Sequence, residues 1–114
     1  MTSMTRMFIA TADGIAGHRT VATLGFVFGI AISRRGLSGN IMAGLEALGN
    51  GSALAEYRDE LIAARWQAIA QLEADAKGLG ANAVVGVRFD TAGVGRDMVE
   101  IVAYGTATVI EQNP

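Results

Sequence analysis

Residues 52–77 read SALAEYRDELIAARWQAIAQLEADAK, and this stretch decides the fold. Leu54, Tyr57, Leu61, Ala64, Ala68, Leu72, Ala76 and, just beyond, Leu79 recur at spacings of three and four, which is the stripe of a helix with one buried face. Ser52 supplies an N-cap, and the acids Glu56, Asp59 and Glu60 fall early, where the helix dipole favours them. Glu73 and Lys77 stand four apart as a favourable pair, and Gly78 and Gly80 supply the stop. The reading is therefore one helix from about Ala53 to Lys77. A second apolar set, Ile62, Trp66 and Ile69, runs beside the first. A face that broad predicts contact with the chain's own sheet and with something else, a neighbouring subunit being the natural candidate.

Past the helix, Ala83 to Phe89 alternates, with Ala83, Val85, Val87 and Phe89 on one side and Gly86 and Arg88 on the other. Thr91 to Asp97 holds two glycines and reads as a hairpin loop. Met98 to Ile110 is then the last strand, with Val99, Ile101, Ala103, Ala107 and Val109 sharing one face. Before the helix, Gly49-Asn50-Gly51 ends a short helix capped by Ser38 and carrying Ile41, Leu45 and Leu48. Thr20 to Ile32 reads as a long strand, bent or divided at Gly25 and Gly29. Asp13-Gly14 marks a turn after a first short strand within Met7 to Thr11. The expected fold is α+β: a small, mainly antiparallel sheet backed by one long helix, with a short helix besides. The 114 residues fit a single domain, 1–114, with a structured core over about 7–111.

Composition points to self-association. The chain is 51% hydrophobic and 18% charged, against about 25% charged in an average domain. So small a domain has much surface to cover, so either apolar side chains stand in the open or other copies cover them. The net charge is −2, and of the nine basic residues only Arg34 and Arg35 are adjacent; nucleic-acid binding is not expected. With no cysteine, disulfides, thiolate metal sites and Cys nucleophiles are excluded. The most apolar run, Val21 to Ile32, is shorter than the roughly 20 residues of a membrane-crossing helix, so no membrane association is expected. Arg6 is followed by too broken an apolar stretch for a signal peptide, and the expected location is the cytoplasm.

Few residues offer chemistry. Gly78-Leu79-Gly80-Ala81-Asn82-Ala83 echoes a dinucleotide fingerprint, but a helix runs into a strand there, the reverse of what phosphate binding needs. His18 is the sole histidine. Asp90, Asp97 and Glu100 gather near the last hairpin and offer oxygen ligands to a hard cation, although acids at a hairpin tip are ordinary solvated turn residues. His18, Asp90 and Glu100 are thus weak metal candidates. No Gly-x-Ser-x-Gly elbow accompanies the histidine, and no enzymatic activity is expected. Arg65 stands between Leu61 and Ala68 on or near the apolar stripe, where a charge calls for an anionic or carbonyl partner. It reads as a snorkelling side chain or an intersubunit ion pair, or else as an anion contact at a subunit boundary. Tyr57 lies two turns earlier on the same face, and with Asn82 in the following turn these are the ligand or interface candidates.

The run Leu79-Gly80-Ala81-Asn82-Ala83-Val84-Val85-Gly86-Val87 resembles the signature of the YbjQ-like family, also called the "putative heavy-metal-binding domain" family. Leu24-Gly25 with Gly29, Tyr57, Ala64-Arg65 and Gly105-Thr106-Ala107 agree with it, and the likeness extends from about Met7 to Glu111. The resemblance implies a compact α+β subunit assembled into a homo-oligomeric ring, commonly a pentamer. It also implies metal binding, but this chain lacks the Cys or clustered His that soft metals prefer. Phe28 and Ile30 stand where Ser and Glu are common, Arg88 where an acid is frequent, and Ser52 where a base is usual. The expected function is therefore that of a non-enzymatic ring that binds a small ligand, ion or partner on surfaces made by assembly. A heavy-metal-binding or metal-response role is the alternative.

Overall fold

The computed structural model describes residues 7–33, 51–94 and 98–114. The expected short helix with Ser38, Ile41, Leu45 and Leu48 lies outside these residues, as do Asp97 and the side chains of Ser52 and Tyr57. In chain order the elements are β1 (Phe8–Ile9), β2 (His18–Ser33), α1 (Gly51–Gly78), β3 (Ala83–Gly93) and β4 (Val99–Gln112). The fold is α+β, as its sequence periodicities predict.

The sheet is mixed, with strand order β1-β3-β4-β2. β4 pairs antiparallel with β2 along its whole length and with β3 on its other side. β1 adds a two-residue parallel ladder at the edge, Phe8 opposite Ala83 and Ile9 opposite Val84. β2 is one strand of 16 residues rather than two short ones. Its irregularities, at Thr20/Ala22 and Thr23/Gly25, are absorbed as local shifts of register without a break. At roughly 3.3 Å per residue β2 is about 53 Å long, which accounts for a longest dimension of 58 Å against 29 and 25 Å across. The radius of gyration, 17.6 Å, exceeds the roughly 13 Å of a compact domain of about this size.

α1 ends as its glycines predict. Leu79, Gly80 and Ala81 donate their N–H groups to Ala76, Lys77 and Ala76 carbonyls respectively. Gly80 takes φ +88°, the left-handed residue that closes a Schellman turn and is almost cost-free only for glycine. The chain then enters β3 directly. There the simple alternation fails: Val84 and Val87 share one core cluster, three residues apart, because a bulge lies between Val85 and Arg88. Ala83 and Val85 therefore face the side opposite Val84, Val87 and Phe89. β3 also runs on to Gly93, so Thr91 and Ala92 belong to the strand rather than to the turn.

The core lies between α1 and one face of β2, β3 and β4. Val27, Leu72, Ala76, Val84, Val87 and Ala107 form one cluster, and Ala31, Ala64, Ala68, Ile101 and Ala103 the other. Most of these are small, and the helix comes very near the sheet. A Cβ placed on Gly29 would fall on the carbonyl oxygen of Ala68. Gln71 Oε1 accepts from the Ile30 N–H at 3.0 Å, so α1 also closes one outward-facing donor of the edge strand. The helix sits chiefly over β2 and β4, with little contact to β3. A helix about 10 Å wide covers about two strands spaced about 4.8 Å apart, so α1 does not cover the β3–β1 half of that face.

Candidate functional site

Among the described residues two surfaces remain open. The first is the sheet face away from α1. Antiparallel partners share a face, so Phe26, Phe28, Ile30 and Ile32 stand beside Thr106, Tyr104, Val102 and Glu100 in that order. On β3, Arg88 and Asp90 lie opposite Tyr104 and Val102 on the same face. The exposures are those of an unpartnered surface: Phe26 74%, Phe28 51%, Ile30 45% and Ile32 52%. Phe26 and Phe28 pack on each other with ring centroids 5.7 Å apart. Large apolar side chains gathered in one row on the longest strand form a contiguous patch, not the scattered exposure normal for a monomer.

The second surface is a groove of about 830 Å³ between α1 and the β3–β1 half of the sheet. Met7, Ile9, Val87 and Phe89 line its sheet side, and Ile62, Trp66 and Ile69 its helix side. Arg65 and Glu73 are the charged residues of the lining. The second apolar stripe of the helix is accounted for here: Trp66 is 67% and Ile62 39% exposed.

Arg65 is exposed in the protomer. Ala64 and Ala68 turn toward the sheet, whereas one residue further round the helix the chain points to the β3 side. There the Arg65 guanidinium carbon lies 5.2 Å from the centre of the Phe89 ring. No hydrogen bond or ion pair engages it among the described residues. Asn82 is committed to structure: its Nδ2 donates to the Ile110 carbonyl at 2.9 Å and its Oδ1 accepts from the Ile110 N–H at 2.8 Å. The side-chain amide imitates one further pair of the β3–β4 ladder. Tyr57 belongs to α1, and its side chain lies outside the described residues.

The metal candidates are not brought together. His18 starts β2, opposite Gln112, and its Nδ1 is 2.9 Å from the Ala16 carbonyl, with the ring 5.0 Å from that of Phe8. Asp90 pairs with Val102, ten residues along β4 and hence roughly 33 Å away. Asp90 and Glu100 are diagonal neighbours across β3 and β4, about 7–8 Å apart. Asp90 is mid-ladder rather than at a hairpin tip, and its Oδ1 accepts from the Thr91 N–H. Among the described residues no three of His, Asp and Glu gather into a ligand set.

The sequence profile described as "Putative heavy-metal-binding" for YbjQ matches residues 7–111. The chain belongs to the YbjQ family. Among its relatives, a UPF0145 protein of Bradyrhizobium sp. (strain ORS 278) is 45% identical over 105 residues, covering 92% of this chain and 94% of the relative. A UPF0145 protein of Picrophilus torridus is 44% identical over 108 residues, covering 95% and 91%. In fold, the chain is similar to a protein of unknown function of the DUF74 family from Pediococcus pentosaceus, with a TM-score of 0.62, 18% identity and coverage of 92% and 98%. Of the donors that soft metals select, this YbjQ chain has no thiol, one imidazole and five methionine thioethers, and among the described residues no three of His, Asp and Glu form a ligand set. In the described structure the lone imidazole lies far from Asp90 and Glu100.

What the sequence singled out least is what the structure makes most conspicuous. The groove is signalled only by the second stripe Ile62-Trp66-Ile69, and the bare face only by the alternation Phe26, Phe28, Ile30, Ile32 within an almost wholly apolar strand. No helix of the described residues is long and apolar enough to cross a membrane.

Proposed function

We propose that this YbjQ chain acts as a non-enzymatic homo-oligomeric ring in the cytoplasm, a pentamer by its family likeness, binding a small ligand, ion or partner on surfaces tied to assembly. The observation that carries the reading is the row Phe26, Phe28, Ile30 and Ile32 on a sheet face that α1 does not cover. Burying an apolar side chain of this size contributes about 1.5–3 kcal/mol, and a lone protomer forgoes much of that four times over. A neighbouring copy is a partner always present at the right concentration, and a closed ring satisfies every protomer alike. The low charge content and the elongated protomer point the same way.

Native mass spectrometry of tag-free protein, purified without added metal and recorded before and after chelator, tests this. The expected result is a closed multiple of the 11.8 kDa chain with no additional mass. A bare monomer at micromolar concentration refutes the assembly. A stoichiometric mass removed by chelator transfers the function to the metal-binding alternative, with His18, Asp90 and Glu100 as the first residues to replace.

A further inference from the structure

The groove beside α1 has the size of a small-molecule site, such sites running from about 300 to 1,000 Å³, against its own volume of about 830 Å³. Its walls are apolar on both sides: Phe89 and Val87 on the sheet, Ile62, Trp66 and Ile69 on the helix. Into this lining the chain sets one cation. Arg65 lies over the Phe89 ring at 5.2 Å, a contact made through the π face that consumes none of its N–H donors. Among the described residues those donors have no acceptor. A guanidinium beside apolar walls, with its donor fork unused, matches a carboxylate, which it holds by two parallel hydrogen bonds.

The other end of the groove limits the ligand further. Glu73 stands eight residues along the helix from Arg65, about 12 Å at the helical rise, and it is paired with Lys77 at 3.6 Å. A second anionic group there would meet a carboxylate, whereas an apolar tail laid between the two positions meets Trp66, Ile69 and Val87. We propose that the groove binds a single-tailed amphiphilic carboxylate, a medium-chain fatty acid, with Arg65 on its head and Trp66 and Phe89 against its tail. This deepens the ligand-binding part of the function proposed above. It needs only one protomer, so it can fail while the ring stands, and the ring can fail while it stands.

Trp66 is the single tryptophan of the chain and lies in the groove wall, so its emission reports occupancy directly. The experiment titrates the full chain with decanoate, decanol and decylamine, each below its micellar concentration, while native mass spectrometry follows assembly in the same samples. The expected result is a saturable blue shift with one decanoate per chain, and at least tenfold weaker binding of decanol and decylamine. Arg65→Gln is expected to weaken decanoate at least tenfold and leave decanol unchanged, with Arg65→Lys between the two; circular dichroism checks that both variants fold. Three results overturn the proposal: no saturable change with decanoate, equal affinity for decanoate and decanol, or an unchanged decanoate affinity in Arg65→Gln. An emission that is already blue and turns red on dilution, in step with dissociation, also overturns it, because the groove is then covered by a second copy.

Discussion

β2 shows both faces of this protein within seven residues. Val27, Gly29 and Ala31 are buried under α1, while their neighbours Phe26, Phe28, Ile30 and Ile32 are 74%, 51%, 45% and 52% exposed. The small residues are on the covered side and the large ones on the bare side. That order is the reverse of a strand designed to stabilise a monomer, in which the bulkiest apolar groups go inward. The reason lies in how near the helix comes. Ala64 and Ala68 meet Gly29, Ala31 and Ala103, and this close approach leaves room for no more than a methyl group. The covered face is thus held by dense contact between small groups, whereas the bare face carries hydrophobic area that α1 does not bury.

The largest effect is expected where the approach is closest. Gly29→Ala puts a methyl on the Ala68 carbonyl, so α1 must lift or shift along its length. Overpacking of this kind costs about 3 kcal/mol, the upper part of its usual range, to be read as a fall in the midpoint of urea unfolding. A loss under about 0.5 kcal/mol would mean that the helix rides loosely and that the covered face is no tighter than the bare one.

On the bare face the same kind of change should leave the protomer alone and weaken the assembly. Phe28→Ser removes an apolar group worth about 2 kcal/mol when buried, equivalent to roughly 30-fold in an association constant. Sedimentation velocity over a dilution series should show dissociation at correspondingly higher protein concentration. Far-ultraviolet circular dichroism should be unchanged. If the mass holds down the same dilution series as for wild type, the face is not an interface and the assembly must use another surface.

The sequence discloses some of this and withholds the rest for physical reasons. A helix 28 residues long repeats its stripe often enough to be unmistakable, and its glycine stop at Gly80 needs no tertiary information. The strands β2 and β4 are likewise legible in outline. The parity of β3 is not, because one bulge after Val85, where Gly86 takes φ +62°, exchanges the faces of everything beyond it, and a glycine in a strand does not by itself tell a bulge from a bend. The surroundings of Arg65 are hidden for a similar reason. Spacing tells which residues are neighbours on a helix, but not that α1 sits off-centre over β2 and β4 and leaves the β3 side open. Asn82 has a side chain suited to ligand binding, and only the β3–β4 register discloses that Ile110 already occupies both ends of its amide.

That last point gives a third measurement. Asn82→Ala strands the N–H and C=O of Ile110, a residue 4% exposed, where water is a poor substitute. The expected cost is about 1–2 kcal/mol, with assembly unaffected, since neither amide atom is free to meet another copy. Asn82→Asp keeps the acceptor for the Ile110 N–H but sets a carboxylate oxygen against the Ile110 carbonyl, so its cost should be no smaller than that of Asn82→Ala. An assembly defect in either variant, without a stability loss, would return Asn82 to the list of interface residues.

The smallest effect concerns the groove, which belongs to neither the covered face nor the bare one. Arg65 and Phe89 touch across its rim at 5.2 Å, in partial contact with water, where a cation–π contact is worth about 0.5–1 kcal/mol. A double-mutant cycle with Arg65→Gln and Phe89→Leu, read by urea unfolding, isolates that pair from the apolar area each side chain covers alone. A coupling of the expected size says that the open half of the helix-side face is pre-organised within one chain, with the guanidinium held in place before any ligand arrives. A coupling near zero says that Arg65 is positioned by what fills the groove, and the comparison of two faces would then have to include the occupant as part of the structure.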